Sequence, residues 1–402
     1  MICCLFFSCF FLVVGIVLAF FLFWTRKQNE YRWETEINNH PKFAILIPAR
    51  DESRVIEGIL QSIHNQTRKV FMKDVFVIVE DKRDATVKIC KKYGASVIVR
   101  KHLELKSKGY ALQEAIEFLV EKDIYYDAYF IFDADNVLDC HFLEEMEIDY
   151  LKGYGISTGY RNLKNGQGVL PIAAGLTYTF INEWINKSNL KYQKNLMLSG
   201  TGFYIHGKYI KEWKTYPFHS LTEDVELSHY ATLHQISMNY NEKAIFYDEQ
   251  PTSFSQSVLQ RKRWIRGYFH NYFLAMRKYR RALALNPINK GSMYANLYGI
   301  QMVISLVLGI FCFLFFLLVQ FVCQTNLLAL FLFFVFLILI YAILAFGTLM
   351  LLWQEREKLQ FKQSFFWSVV WYHPLFLFSY VYVFLLSLFQ KNVSWDKIEH
   401  HS

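Results

Sequence analysis

The chain has 402 residues, enough for one large domain or two small ones. Apolar residues make up 53% of it and aromatic residues 18%, which is high for a soluble protein, so part of the chain is expected in lipid. The net charge of +8 does not indicate a nucleic-acid partner, because the basic residues concentrate beside long apolar segments, where membrane topology and anionic lipid account for them. The seven cysteines show no metal-like pairing, and no disulfides are expected.

Four segments without Asp, Glu, Lys or Arg predict membrane-spanning helices. Each is long enough to cross about 30 Å of hydrocarbon at about 1.5 Å per residue. Pro374 interrupts the last of them, which could therefore be kinked or re-entrant. The segments cover residues 2 to 24, 297 to 323, 326 to 353 and 365 to 389.

Charges beside these segments predict the topology. Arg26 and Lys27 follow the first span and no charged region precedes it, so it is interpreted as a retained anchor with an outward N-terminus. The following stretch is then cytoplasmic, and three later spans place the C-terminus outside. The predicted regions are an anchor at 1–25, a cytoplasmic domain with interface helices at 26–290 and a membrane region of about three spans at 291–402.

Strand-like and helix-like segments alternate along the first half of the cytoplasmic domain. This alternation predicts an α/β domain with a largely parallel sheet covered on both faces. Ligands of such sheets bind at the carboxyl ends of the strands. The predicted strands are Phe43–Pro48, Val75–Val79, Ser96–Val99 and 128–132, and the predicted helices are 52–66, 84–93, 108–121 and 225–234.

Asp133 and Asp135 follow the fourth predicted strand. With the side-chain period of a strand, both would point to the same side, where two carboxylates repel each other unless a cation lies between them. Mg²⁺ or Mn²⁺ fits, because either binds carboxylate and phosphate oxygens. A lone Asp-x-Asp is more often an ordinary turn after a strand, so the neighbouring motifs decide the interpretation.

Two further motifs lie at the same predicted sheet edge. Asp81 ends the second strand and can accept hydrogen bonds from a uracil ring or a ribose, although such a residue is commonly a helix cap. Lys108 and Gly109 begin a helix, which offers a cation, free backbone N–H groups and a small residue for close approach to a pyrophosphate. A solvated helix start explains this second motif equally well.

Asp224, in the tripeptide Thr222–Asp224, is the candidate general base. A carboxylate within hydrogen-bond reach can remove the proton of an acceptor hydroxyl as the new bond forms, and a single displacement inverts the anomeric centre. Glu223 is a secondary candidate. The alternative is that Thr222 or Asp224 only caps the following helix.

After 35 intervening residues, Asp224 is followed by the pattern Gln-x-x-Arg-Trp at Gln260, Arg263 and Trp264. An indole offers a flat apolar face for a sugar ring, and the two polar side chains can bind diphosphate or hydroxyl groups. The segment is also typical of a membrane-surface helix, and both interpretations can hold. Upstream, Ser199–Phe203 contains two glycines that either allow close approach of an acceptor or form a tight turn.

Taken in order, these motifs and spans resemble the membrane-bound family 2 glycosyltransferases, the group that contains cellulose, chitin, hyaluronan and poly-N-acetylglucosamine synthases. The resemblance covers nearly the whole chain and implies a GT-A fold, a UDP-sugar donor and a β-linked product. It places Asp81 on the uridine, Asp133 and Asp135 on the diphosphate and metal, and Asp224 as the base. It also implies nucleotide contacts at Pro48, Arg50, Glu52, Lys108 and Gly109, and acceptor or diphosphate contacts at Gly200, Thr201, Gln260, Arg263 and Trp264.

The resemblance also narrows the substrate. The gating segment of cellulose synthases is not found, the 199–202 sequence differs from hyaluronan synthases, and residues 247–253 are similar to bacterial poly-N-acetylglucosamine synthases. We expect a plasma-membrane, multi-pass enzyme that uses UDP-GlcNAc or UDP-Glc to extend a cell-surface polysaccharide, with membrane lipid around it and with an export subunit or self-association. The alternatives are a non-processive enzyme that adds one sugar to a membrane lipid, and a sensor that has lost turnover.

Overall fold

One mixed sheet of eight strands forms the centre of the described protein. The structure, a computed structural model, describes residues 40–191, 196–285 and 327–389, so the predicted spans at 2 to 24 and 297 to 323 lie outside the described residues. The strand order is β3-β2-β1-β4-β7-β6-β8-β5. The strands are β1 Phe43–Pro48, β2 Val75–Val79, β3 Ser96–Val99, β4 Ala128–Ile131, β5 Val137–Leu138, β6 Ile156–Leu163, β7 Phe203–His206 and β8 Met238–Asp248.

Helices cover both faces of this sheet and continue beyond it. A π-helical segment, Ile181–Asn186, joins two of them. The helices of the described part are α1 Ile56–His64, α2 Ala85–Tyr93, α3 Lys108–Glu121, α4 Phe142–Leu151, α5 Val169–Phe180, α6 Lys187–Lys191, α7 Gly207–Trp213, α8 Glu223–Leu233, α9 Phe254–Leu285, α10 Leu327–Gln354 and α11 Phe366–Phe389.

The first half of the sheet is parallel, as the alternating pattern predicts. Strands β3, β2, β1 and β4 pair in parallel, and the bounds of β1 to β3 agree with the sequence. Their side chains are apolar on both sides because helices cover both faces. Ala44 and Leu46 lie in one hydrophobic cluster, whereas Phe43, Ile45 and Ile47 lie in the other, which is the period-two alternation of a strand.

The second half corrects the expectation of a largely parallel sheet. Strand β7 lies between β4 and β6 and runs antiparallel to both, and β5 runs antiparallel to β8. Only β6 and β8 form a further parallel pair. The sequence did not predict β6 because its buried residues are mixed, with Ser157, Arg161 and Asn162 among apolar ones. The sheet is therefore mixed.

Helices α10 and α11 are long and apolar enough to cross a membrane by length and composition. They pack against each other, and α11 also packs against α5 and α9 of the sheet domain. Helix α11 is continuous across Pro374, and a kinked or re-entrant course in the membrane stays a prediction. The proline removes one backbone hydrogen bond, and packing of the flanking turns retains the helix.

Candidate active site

Three carboxylates meet at the carboxyl edge of the sheet. One oxygen each of Asp133, Asp135 and Asp248 can be chosen so that all lie within 4.8 Å of one another. Asp248 ends β8, and the two other acids follow β4. The sequence suggested that Asp133 and Asp135 converge through the side-chain alternation of a strand. They converge in another way, because β4 ends at Ile131 and residues 134–135 form a turn.

Polar side chains hold these acids in place. The Asn136 amide donates to Asp248 Oδ1 at 2.8 Å and to Asp135 Oδ1 at 3.3 Å. The Arg161 guanidinium donates to Asp248 Oδ2 at 2.6 Å. Burial, together with the charges of Asp248 and Asp133, raises the pKa of Asp135 well above its ordinary value. Crowded oxygen ligands of this kind fit a divalent cation such as Mg²⁺ or Mn²⁺, whose charge would offset their repulsion.

Lys108 connects the three acids Asp133, Asp135 and Asp248, called the metal cluster below, to the turn around Gly200. It begins α3, where Ser107 caps the helix by accepting from the Tyr110 N–H. Its ammonium donates to Asp133 Oδ1 at 2.5 Å and to the Gly200 carbonyl at 2.7 Å. Although burial opposes it, this ammonium lowers the pKa of Asp133. The helix start is therefore not merely solvated.

The structure explains the glycine at position 109 by close packing within the protein, whereas the sequence suggested close approach to a pyrophosphate. A Cβ at this position would lie 2.0 Å from the Phe218 carbonyl oxygen. The glycine is thus required where α3 touches the chain before α8. Approach to a pyrophosphate is not needed to explain it.

Asp224 and Glu223 lie in the first turn of α8 and are buried. Burial raises the pKa of Asp224 to about 6 and that of Glu223 to about 8. A Cβ built on Gly200 would lie 3.7 Å from Asp224 Oδ2, so this carboxylate faces the same turn that Lys108 holds. Thr222 does not cap the helix with its side chain, because its hydroxyl accepts from the Asn271 amide at 2.9 Å.

The glycines of Ser199–Phe203 form a tight turn, as the simpler interpretation predicted. Gly200 and Gly202 have φ values of 87° and 69°, which favour glycine. Thr201 between them is fully buried, accepts from the Asp133 N–H at 2.9 Å and donates to Asn136 Oδ1 at 2.5 Å. Its hydroxyl therefore supports the acid turn.

Trp264 reaches the site through two neighbouring side chains. Its ring meets the Tyr178 ring edge to face at 5.9 Å, and the Arg161 guanidinium lies 3.6 Å from the Tyr178 centroid. The charge of Arg263 contributes to lowering the pKa of Asp133, although burial opposes it. Gln260 lies one turn before Trp264 on α9 and is half-buried. The same helix exposes apolar side chains such as Phe273, as a membrane-surface helix would.

The predicted nucleotide loops lie at the ends of β1 and β2, beside β4 in the sheet. Pro48 ends β1, Arg50 pairs with Glu80 at 3.1 Å, and the Glu52 N–H donates to Thr86 Oγ1 at 3.1 Å. Asp81 is half-exposed and pairs with Arg83 at 3.1 Å. These residues share the sheet edge with the metal cluster and form a separate group of contacts.

A family model described as "Glycosyltransferase like family 2" matches residues 40–267, more than half of the chain. The chain belongs to glycosyltransferase-like family 2. The matched part of this glycosyltransferase contains every acid discussed above and Trp264.

Similar proteins include a curated bacterial relative and an archaeal protein of known structure. The probable glycosyltransferase YdaM of Bacillus subtilis is 24% identical over 268 residues, which are 60% of this chain and 59% of that protein. The chain thus spans less than two thirds of this curated relative. The mannosyltransferase PcManGT from Pyrobaculum calidifontis, in complex with GDP-Man and Mn²⁺, has a TM-score of 0.56 and 12% identity, with 96% of this chain and 99% of that chain covered. This likeness shows a common GT-A-like fold.

Sequence reasoning missed three residues of the glycosyltransferase site. Asp248 lies in the 247–253 stretch, which was considered for its family resemblance only, yet it is the last residue of a strand, and Asp81 lies just after one. Arg161 and Tyr178 come from β6 and α5, neither of which was predicted from the sequence. A buried cation within a strand, adjacent to acids only in three dimensions, leaves no local signal in the sequence.

Proposed function

We propose that this glycosyltransferase inverts the anomeric centre of a UDP-sugar and transfers a hexose or N-acetylhexosamine, from UDP-Glc or UDP-GlcNAc, to a growing β-linked cell-surface polysaccharide. The observation that carries the proposal is the path from Asp133 through Lys108 and Gly200 to Asp224. It joins a metal-type acid cluster to a buried carboxylate whose pKa of about 6 suits a base at neutral pH.

In this mechanism, Asp133, Asp135 and Asp248 would hold a divalent cation, which would supply the positive charge that offsets the nucleoside diphosphate leaving group. Lys108 and Arg263 supply further positive charge on the diphosphate side. Asp224 accepts the proton of the acceptor hydroxyl. At the same time the hydroxyl oxygen attacks the anomeric carbon, and the bond from this carbon to the diphosphate breaks.

The remaining proposed contacts hold donor and acceptor. Asp81, with the loops at Pro48, Arg50 and Glu52, binds the uridine, and the indole of Trp264 stacks on the acceptor sugar. Gln260 and the Gly200–Thr201 turn lie on the acceptor side. The order of β2, β1 and β4 in the sheet supports this division, because it separates the nucleotide loops from the turn and α9.

We also propose that the protein is a multi-pass enzyme of the plasma membrane with its catalytic domain in the cytoplasm. The two apolar helices α10 and α11 support this location, as does the packing of α11 against α5 and α9. Membrane lipid would surround these helices. Export of a polymer through the four spans predicted from the sequence would call for self-association or an accessory subunit.

A second candidate function is the addition of one sugar to a membrane lipid. The contact between α11 and the Trp264 helix favours it, because a lipid-linked hydroxyl would approach the base along an apolar helix. The donor site is the same in both functions.

Product length separates the two candidates. Purified protein in vesicles is incubated with Mn²⁺ and a panel of UDP-sugars, and the product is sized with and without a lipid acceptor. Long chains from one UDP-sugar support the synthase, and single additions to lipid support the second candidate. Absence of transfer from every UDP-sugar contradicts the proposed donor class.

A further inference from the structure

The chain between the two apolar helices docks onto the catalytic sheet. We call residues 355–362 the strap. Its Glu355 accepts from the Tyr160 hydroxyl at 3.0 Å, and its Lys358 carbonyl accepts from the Asn162 amide at 2.7 Å. At the far end, a Cβ on Gly166 would lie 2.3 Å from the Gln360 carbonyl oxygen, so the two backbones touch. The strap thus follows the end of β6.

Buried charges fix the strap in this position. Lys358 lies 3.8 Å from Glu183, 3.5 Å from Glu242 and 3.6 Å from Glu355. Glu183 and Glu355 are almost fully buried, and Gln354 donates to Glu183 at 3.3 Å. Removing Lys358 from this group is costly, because Glu183 and Glu355 would be left as buried carboxylates without their cation.

Strand β6 carries Arg161, the cationic side chain that pairs with Asp248, between the two residues that contact the strap. Successive side chains of a strand point to opposite faces, so Tyr160 and Asn162 face one side and Arg161 the other. On its side, Arg161 donates to Asp248 at 2.6 Å. Its backbone carbonyl accepts from the Asn182 amide at 2.9 Å. The position of Arg161 therefore depends on what holds its neighbours.

We propose that Glu355 and Lys358 are positioning residues which, through Tyr160 and Asn162, hold Arg161 on Asp248 and so set the affinity of the cluster for a divalent cation. The inference rests on the metal site of the proposed function. Groups that orient a ligating carboxylate without touching the metal commonly change metal affinity by about tenfold or more. The strap joins α10 to α11. A change in how these two helices pack would therefore alter the strap contacts and, through Arg161, the affinity of the cluster for the cation.

The test is Mn²⁺ binding by the purified full-length protein without donor, followed by the electron paramagnetic resonance signal of free Mn²⁺. Tyr160→Phe removes the hydroxyl that reaches Glu355, and we expect the dissociation constant to rise about threefold to tenfold. Glu355→Ala should do the same, whereas Glu355→Gln keeps an acceptor for the hydroxyl and should bind Mn²⁺ like the unmodified protein.

Tyr240→Phe is the matched control. Tyr240 is a buried tyrosine on the neighbouring strand β8, and its hydroxyl has no hydrogen-bond partner among the described residues. Its removal should leave the Mn²⁺ dissociation constant unchanged. If Tyr160→Phe lowers the thermal unfolding midpoint but not the Mn²⁺ affinity, the strap has only a structural role and the inference is wrong.

Asp135→Ala distinguishes this inference from the proposed function. Loss of Mn²⁺ binding in Asp135→Ala with unchanged binding in Tyr160→Phe overturns only the role of the strap. Binding in Asp135→Ala equal to that of the unmodified protein would overturn the metal site and, with it, the inference.

Discussion

Glu223 and Asp224 are adjacent buried acids with different expected charges at neutral pH. With pKa values raised by burial to about 8 and about 6, Glu223 retains its proton at pH 7 while Asp224 is mostly ionised. The pair thus supplies one negative charge and one neutral carboxyl. This difference supports the proposal that Asp224 is the base and that Glu223 does not take part in the proton transfer.

We therefore predict that Glu223→Gln keeps transfer activity at pH 7 within a few fold, because an amide resembles a protonated carboxyl. The pKa of Glu223 is raised in the folded state above its ordinary value of 4.5, so its stabilisation is present below about pH 4.5 and is lost as pH rises through about 8. Glu223→Gln should flatten the fall of the unfolding midpoint over that window.

Thermal unfolding between pH 5 and pH 8.5 measures this effect. Glu121→Gln, at the exposed end of α3, is the control and should leave the pH profile unchanged. Parallel profiles for Glu223→Gln and the unmodified protein would show that Glu223 does not carry the raised pKa.

Asp248 is predicted to be the third carboxylate on the metal. Asp248→Asn should raise the Mn²⁺ concentration for half-maximal donor hydrolysis by roughly tenfold or more, because a neutral amide binds a divalent cation less strongly. Asp123→Asn, in an exposed turn with φ of 57° that asparagine tolerates, serves as the control. Equal Mn²⁺ dependence in both variants would remove Asp248 from the site.

At the scale of elements, α9 links the base, the indole and the apolar helices. Its Gly267 packs against Thr222, since a Cβ there would lie 2.6 Å from the threonine side chain. Its buried Arg261 donates to Ser379 on α11 at 2.7 Å and lies 4.4 Å from the Phe376 ring centroid. Helix α9 thus packs against Thr222 on one side and α11 on the other, and these contacts determine the position of Trp264.

We predict that Trp264→Ala impairs transfer to an acceptor at least tenfold more than donor hydrolysis, because we propose that the indole binds the acceptor sugar. Trp264→Phe, which keeps an aromatic face, should recover part of the transfer. Both rates are measured on the same preparation, as released UDP and as extended acceptor. Equal loss of the two activities in Trp264→Ala would place the residue on the donor side or in the folding of α9.

The same scale shows what the sequence could predict. Strands β1 to β3 are continuous apolar runs ended by Pro48, by an acid and by Arg100, so their bounds were correct. Strand β6 mixes buried polar and apolar residues, because Arg161 and Asn162 serve the metal cluster and the strap, and no pattern marked it. The acids of β4 and α8 were predicted by motif, whereas Asp248 needed the pairing of β8 with β6 to be recognised.

At the scale of the molecule, a mixed sheet presents the proposed base and the acid cluster at one edge, and its helices α5 and α9 pack against α11, which in turn packs against α10. The family 2 match covers residues 40–267, which contain the acids at this edge of the sheet. The arrangement would place a polar reaction beside apolar helices, as the proposed membrane synthase requires.

The most direct test of the account compares the unmodified protein with Asp224→Asn in the presence of Mn²⁺ and a UDP-sugar. We predict that Asp224→Asn binds UDP and Mn²⁺ with affinities close to those of the unmodified protein, while transfer falls by roughly 10² to 10⁴. Transfer by Asp224→Asn at the unmodified rate would contradict the account.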